Sequence, residues 1–180
     1  MRARKISPEV FYADEAVVRV DHRDIAILIA SANPMPRRRT RLCTHRSAED
    51  RLHEMLIVHH HDAYVRPHRH VGRAESMHVI QGETDLVLFD EIGQVTEVIA
   101  LGDFASGRPF YYRMSDPIFH ALTIRTEWLV FHEVTSGPLR REETSFASWA
   151  PPDEDTAAVA RYLASVEAQL NLLRERQVVR

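Results

Sequence analysis

One cysteine, Cys43, stands in 180 residues, so the chain can form neither an internal disulfide nor a thiolate metal cluster. No apolar run reaches the ~18 residues that a membrane-spanning helix requires. The opening stretch MRARKISPEV is basic with no apolar segment behind it, which argues against a signal peptide. An excess of positive charge is also missing. The 23 Lys and Arg are outweighed by 26 Asp and Glu, for a formal net charge of −3, and general attraction to nucleic acid or an anionic membrane is not expected. No helix-turn-helix segment, internal repeat or low-complexity tract is found. These absences point to a cytoplasmic globular protein whose partner is neither nucleic acid nor membrane. A hydrophobic fraction of 44% and a charged fraction of 27% fit that class, and the length suits one ordinary domain with a core.

What is plentiful is histidine. Eleven in a chain of this length supply the raw material for a nitrogen-ligand metal site. From Met55 to Val134 the chain reads as short β segments: MLIVHHHDAYVRPH, ESMHVIQGETDLVLFD, QVTEVIAL, FYYRM, HALTIRT and EWLVFHEV. Gly- and Pro-bearing turns separate them, and Gly93 in DEIG supplies a positive φ for a hairpin. Many short strands so spaced predict a sandwich or small barrel. Upstream, EVFYADEAVVRV is rich in Val, Phe and Tyr and predicts a strand, whereas DIAILIASA fits a short helix or a buried strand equally. Downstream, Val159, Leu163, Val166, Leu170 and Leu173 recur at spacings of four and three, an amphipathic helix over 155–176. Its stripe is expected to pack on the domain's own surface, with a dimer seam as the alternative.

Four residues stand out as metal ligands. On a strand, residues i and i+2 share a face, so His68 and His70 in RPHRHVGRAE point the same way. The VGRA turn reverses the chain and returns Glu75 to that face, so one hairpin would present three ligands. His120 in SDPIFHAL, delivered by a turn to the start of an apolar strand, is the best fourth. Three imidazoles and a carboxylate suit Zn, Fe, Mn, Ni or Cu, with open positions for catalysis. Tyr64 and Arg66 share parity with His68 and His70, and Arg113 shares a face with Tyr111; these three are the expected substrate contacts, the arginines as clamps for a carboxylate or phosphate. The run His59, His60, His61 reads as solvated loop, and RRRTR (Arg37 to Arg41) as a solvated basic loop with an anionic-tail site as the alternative. His78 falls opposite Glu75. His45 and His132 have no assignment, and Cys43 reads as a small buried residue. No proton-transfer group can be named.

The spacing His68-x-His70-x4-Glu75-x6-Gly82 resembles the first cupin motif, with Asp62 at its opening glycine. Gly102 through His120 resembles the second, with Ser115 and Pro117 where a proline and a glycine are usual and Ile124 for the closing asparagine. RTRLCTH, the intact YVRPHRH and FASWAPPDED are similar to the WbuC-type cupin metalloproteins over roughly residues 37–155. That resemblance implies a mainly β fold, an antiparallel jelly roll or small barrel over 51–150; an N-terminal α/β extension over 1–50 is expected to pack on it, and the C-terminal helix over 151–180 lies beyond the resemblance. The resemblance also implies one divalent metal (Fe, Zn, Mn or Ni), a small-molecule ligand, a homodimer, and a role near O-antigen or other surface polysaccharide synthesis. Two classes of function follow: a metal-dependent isomerase, epimerase or dioxygenase, or a non-catalytic binding or assembly module with a structural metal.

Overall fold

The computed structural model describes residues 2–138 and 140–178. Strands β1 (Ala3–Ser7) and β2 (Val10–Ala13) are followed by helix α1 (His22–Ala32) and strand β3 (Arg39–Cys43). The central strands are β4 (Leu52–His60), β5 (His68–His70), β6 (Glu75–Gln81), β7 (Glu83–Phe89), β8 (Val95–Gly102), β9 (Tyr111–Met114), β10 (Phe119–Ile124) and β11 (Trp128–Ser136). Strand β12 (Thr144–Phe146) and helix α2 (Thr156–Val178) close the chain. One sheet has the order β1-β2-β3-β4-β11-β6-β9, the other β12-β5-β10-β7-β8. Within them, β4-β11-β6-β9 faces β5-β10-β7-β8, the two four-stranded layers of an eight-stranded jelly roll.

The patterning explains the layers. β7 carries Leu86-Val87-Leu88-Phe89, apolar at every position. Leu86 and Leu88 point between the sheets with Met77, Val79 and Leu129, while Val87 and Phe89 point outward beneath Val166 and Leu170 of α2. A run apolar at every position is what a strand covered on both faces needs. The stripe of α2 therefore packs on its own chain. Val166 and Leu170 are buried, each contributing about 1.5–3 kcal/mol, although Leu163 is 40% exposed. A network anchored on the buried Asp85 adds to this seam: Asp85 on β7 binds Arg125 at 2.7 Å and also Arg174 of α2, and Arg125 reaches Glu167 of α2 at 3.1 Å. Asp155 caps the helix, its carboxylate accepting from Ala158 N at 2.9 Å.

DIAILIASA is helical. Asp21 and Asp24 form a reciprocal cap at its start, Leu28 buries against Leu42, Val58 and Val130 on the outside of the first sheet, and Ala32 is buried as well. Helix α1 crosses between the parallel strands β2 and β3, the connection parallel strands require. The strand in EVFYADEAVVRV ends at Ala13, and β1, which nothing in the sequence pattern marked, pairs with it. Gly93 closes the β7–β8 hairpin at φ 88°. Gly82 turns β6 into β7 at φ 91°, where a Cβ would lie 2.5 Å from the Trp128 carbonyl oxygen.

Two expectations are corrected. β5 and β6 form no hairpin: β5 lies between β12 and β10 in one sheet, β6 between β11 and β9 in the other, because the turn after His70 crosses from layer to layer. The His59–His61 run is not a solvated loop either. His59 and His60 end β4 and are 8% and 3% exposed; only His61 faces solvent.

Candidate metal centre

The layer crossing sets the site. His68 and His70 project from β5, and His120 from β10, where it pairs directly with His68. Glu75 opens β6 in the opposite sheet and meets them across the interior. One ligand atom from each of the four lies within 4.8 Å of the others. His70 Nε2 is 3.1 Å from one Glu75 oxygen and His120 Nε2 is 3.2 Å from the other.

The outward nitrogens are already engaged. His68 Nδ1 lies 2.9 Å from the Arg66 carbonyl oxygen, and His120 Nδ1 lies 2.9 Å from that of Ile118. A carbonyl only accepts, so both Nδ1 atoms donate, and the lone pair of each neutral ring sits on Nε2. His70 Nδ1 is 3.2 Å from Thr144 Oγ1. Tyr112 donates to Glu75 Oε1 at 2.6 Å. Lone pairs and a carboxylate converging at about 3 Å repel unless a positive charge sits among them. A proton on one imidazole can supply it; so can a metal, and anchored imidazoles around an acidic ligand fit a divalent cation.

The titration of these groups follows from the same geometry. Burial, then the neighbouring His120, lowers His68 to about 4. Burial is the largest single influence and works against the charged forms of Glu75 and His120, but the hydrogen bonds of Glu75 with His120, His70 and Tyr112 and the attraction between opposite charges together outweigh it, holding Glu75 well below and His120 above its ordinary value.

A cavity of about 530 Å³ runs from this cluster between the sheets, a volume ordinary for a small-molecule site. Glu133 of β11 lines it beside Tyr112. Burial first, then the charge of Glu75, raises Glu133 to about 8, so at neutral pH it carries a proton. Sequence reasoning missed it, although its signal was there: Leu129, Phe131 and Glu133 alternate on one face, a carboxylate on an otherwise apolar strand face. Arg37, Arg39 and Arg41 line the far end. The solvated-loop reading of RRRTR is thereby corrected, since β3 alternation turns Arg39 and Arg41 toward the cavity. His59 lines it too, lowered to about 3 by burial and then by the charges of Arg39 and Arg41.

Of the expected substrate contacts, the structure brings only Arg66 to the cavity. Arg66 donates to the Ala147 carbonyl at 3.0 Å and lies over the Phe146 ring. Tyr64 precedes the short β5 on irregular chain, donates to the Pro151 carbonyl at 3.1 Å and packs edge-on to Tyr162 of α2. Arg113 is exposed on the outer face of β9, because Tyr112 takes the inward position. His78 is exposed, opposite Glu75 as expected, and Cys43 is buried. His45 stacks on His53 with ring centroids 4.1 Å apart, and His132 lies 3.8 Å from Glu54.

The comparisons with known proteins add the following. The family model described as a domain of unknown function, DUF6016, matches residues 20–101. No curated protein matches the sequence. Among solved structures, a Shewanella oneidensis protein is similar at 11% identity and a TM-score of 0.49, over 59% of this chain and 72% of that one. L-ribose isomerase of Cellulomonas parahominis is similar at 16% identity and a TM-score of 0.48, over 61% and 69%. A mutant of Bacillus subtilis oxalate decarboxylase is similar at 15% identity and a TM-score of 0.38, over 54% of this chain; the match spans only 24% of that enzyme's length. The strand order itself is that of the antiparallel jelly roll expected from the sequence. No helix among the described residues is long and apolar enough to cross a membrane.

Proposed function

We propose that the protein is a WbuC-type cupin enzyme that holds one divalent metal on His68, His70, Glu75 and His120 and acts on a small anionic or sugar-derived molecule. The place of action is surface-polysaccharide synthesis in the cytoplasm, and the working unit is a homodimer. The observation that carries this reading is the convergence of Nε2 atoms and a carboxylate at the end of the cavity, with His68 and His120 turned by backbone carbonyls. A bound metal would supply Lewis-acid polarisation of a substrate oxygen.

The chain's own residues supply the rest. Tyr112 fixes the Glu75 carboxylate through its 2.6 Å hydrogen bond. Arg66, tied to the Ala147 carbonyl, offers its positive charge beside the cluster. Glu133, protonated at neutral pH, can give its proton to a substrate carbonyl oxygen and, as the carboxylate this leaves, accept the proton released from the adjacent carbon. A proton-carrying acid beside a Lewis-acid site favours isomerisation or epimerisation over oxygen chemistry. The test is solvent-deuterium incorporation, read by NMR, into a panel of sugar phosphates and nucleotide sugars incubated with metal-loaded protein. Exchange at a carbon next to a carbonyl, abolished in Glu133→Gln, is expected. Oxygen consumption without exchange would overturn the proton-transfer assignment. A metal that stays bound while no panel member reacts favours the binding-module alternative.

A further inference from the structure

We infer that the end of the cavity remote from the metal cluster is a binding subsite for a single oxyanion, a phosphoryl or carboxylate group, on a ligand whose other end reaches the cluster. The second half of that statement rests on the proposed metal site; the oxyanion subsite does not.

The subsite is built by strand alternation. Arg39 and Arg41 of β3 pair with His59 and Ile57 of β4, and cross-strand partners share a face. All four line the cavity. The alternate residues are spoken for outside, where Thr40 donates to the Leu28 carbonyl at 3.0 Å and Leu42 packs beneath α1. Three guanidinium groups therefore stand along one edge. Arg37 binds Glu9, and Asp153 at 3.4 Å. Arg39 is farther from the same two carboxylates, at 3.8 and 3.6 Å. Arg41 has no carboxylate at ion-pair distance among the described residues and is exposed. Glu9 and Asp153 are thus engaged by Arg37 and Arg39, while Arg41 keeps a guanidinium held by no carboxylate among the described residues.

His59 is the independent pointer. Its side chain is buried, yet neither ring nitrogen has a hydrogen-bond partner among the described residues, and Nδ1 is shut off from solvent. A buried polar group left unpaired costs about 1–3 kcal/mol, a cost a bound ligand can offset. Flanked by two arginines, His59 stays neutral, so it supplies one N–H donor while the charge comes from the guanidinium groups. An anion with several acceptor oxygens matches that set. The carboxylates of Glu9, Asp153 and Glu154 at the same mouth would repel a polyanion, which limits the group to one oxyanion.

The register offsets the subsite from the cluster. Glu75 is level with Thr135, and Thr135 with His53; Arg41 is level with Ile57, four residues further along β4, an offset of about 13 Å at 3.3 Å per residue. An elongated molecule with an acidic group at one end, such as a sugar phosphate or a sugar acid, suits that offset.

The test is an NMR titration of the histidine ring nitrogens in full-length, metal-stripped protein, using inorganic phosphate and, separately, acetate as probes. Saturable perturbation of the His59 resonances is expected, with the apparent Kd at least tenfold weaker in Arg41→Gln and partly restored in Arg41→Lys. Preference for phosphate identifies a phosphoryl group, and preference for acetate a carboxylate. No saturable perturbation by either probe, or equal binding in Arg41→Gln, overturns the inference. Because metal is stripped beforehand, failure of the metal site leaves this result untouched.

Discussion

Two histidine-rich segments, separated by six residues, do opposite things. In His68-x-His70 each ring has a hydrogen-bond partner at Nδ1 and contributes a nitrogen to the cluster around Glu75. In His59-His60-His61, alternation splits the run. His59 faces the cavity with Nδ1 unpaired. His60 faces out against Trp128, with ring centroids 4.8 Å apart. His60, His61 and Asp62 also bring ligand atoms within 4.8 Å of one another, but Asp62 is held by Arg38 at 2.9 Å and its N–H donates to His60 Nδ1 at 3.1 Å. A guanidinium already fills the place a cation would take. Proximity of histidines is thus not enough. What makes a metal centre is that the rings are oriented from behind and that, among the described residues, no guanidinium holds the carboxylate in front.

That contrast can be broken in several places, the largest effect first. Zn or Mn at a hundredfold excess over its Kd should stabilise the protein by about 2.7 kcal/mol, read by urea denaturation. The gain should vanish in His120→Ala; an equal gain there would show that the metal binds elsewhere. Glu133→Gln comes next. The folded pKa of Glu133, about 8, is above its ordinary value of 4.5, so its stabilising influence is complete below pH 4.5 and lost as pH rises through 8. Metal-free Glu133→Gln should therefore exceed the parent in stability at pH 8, by a few kcal/mol at most, and match it near pH 4.5. Parallel stability curves would contradict the burial of that carboxyl.

His59 has the opposite sign. Its folded pKa of about 3 is below the ordinary 6.5, so its stability is present above pH 6.5 and lost as pH falls toward 3. His59→Gln should flatten that acid limb by up to about 1.4 kcal/mol per pH unit, in urea titrations at pH 6.5, 5.5 and 4.5. An unchanged slope would mean the ring is not buried neutral. The smallest effect belongs to Asp62→Asn. It should leave metal content unchanged and cost under about 1 kcal/mol, as exposed pairs do; loss of metal would make the second cluster the true site.

The four candidate ligands were legible because their spacing is local: two residues on one strand, a short turn, and a histidine opening an apolar strand. The β5–β6 relation was not, since a short turn between short strands reads as a hairpin. Only distant pairing, β5 with β10 and β6 with β11, makes it a crossing between layers. Arg113 shows how narrow the margin is. A shift of one residue in phase on β9 exchanges the inward Tyr112 for its neighbours. Arg39 and Arg41 were readable in principle, as an i, i+2 pair on a strand. The short polar β3 gave no apolar alternation to reveal that it was one.

The most direct measurement is the metal content of protein purified without added metal, beside a His68→Ala variant whose fold is checked by circular dichroism. Near-stoichiometric metal in the parent and none in a folded His68→Ala is the predicted result. A stable, metal-free parent that takes up no divalent cation, or a His68→Ala variant that keeps its metal, would contradict the account.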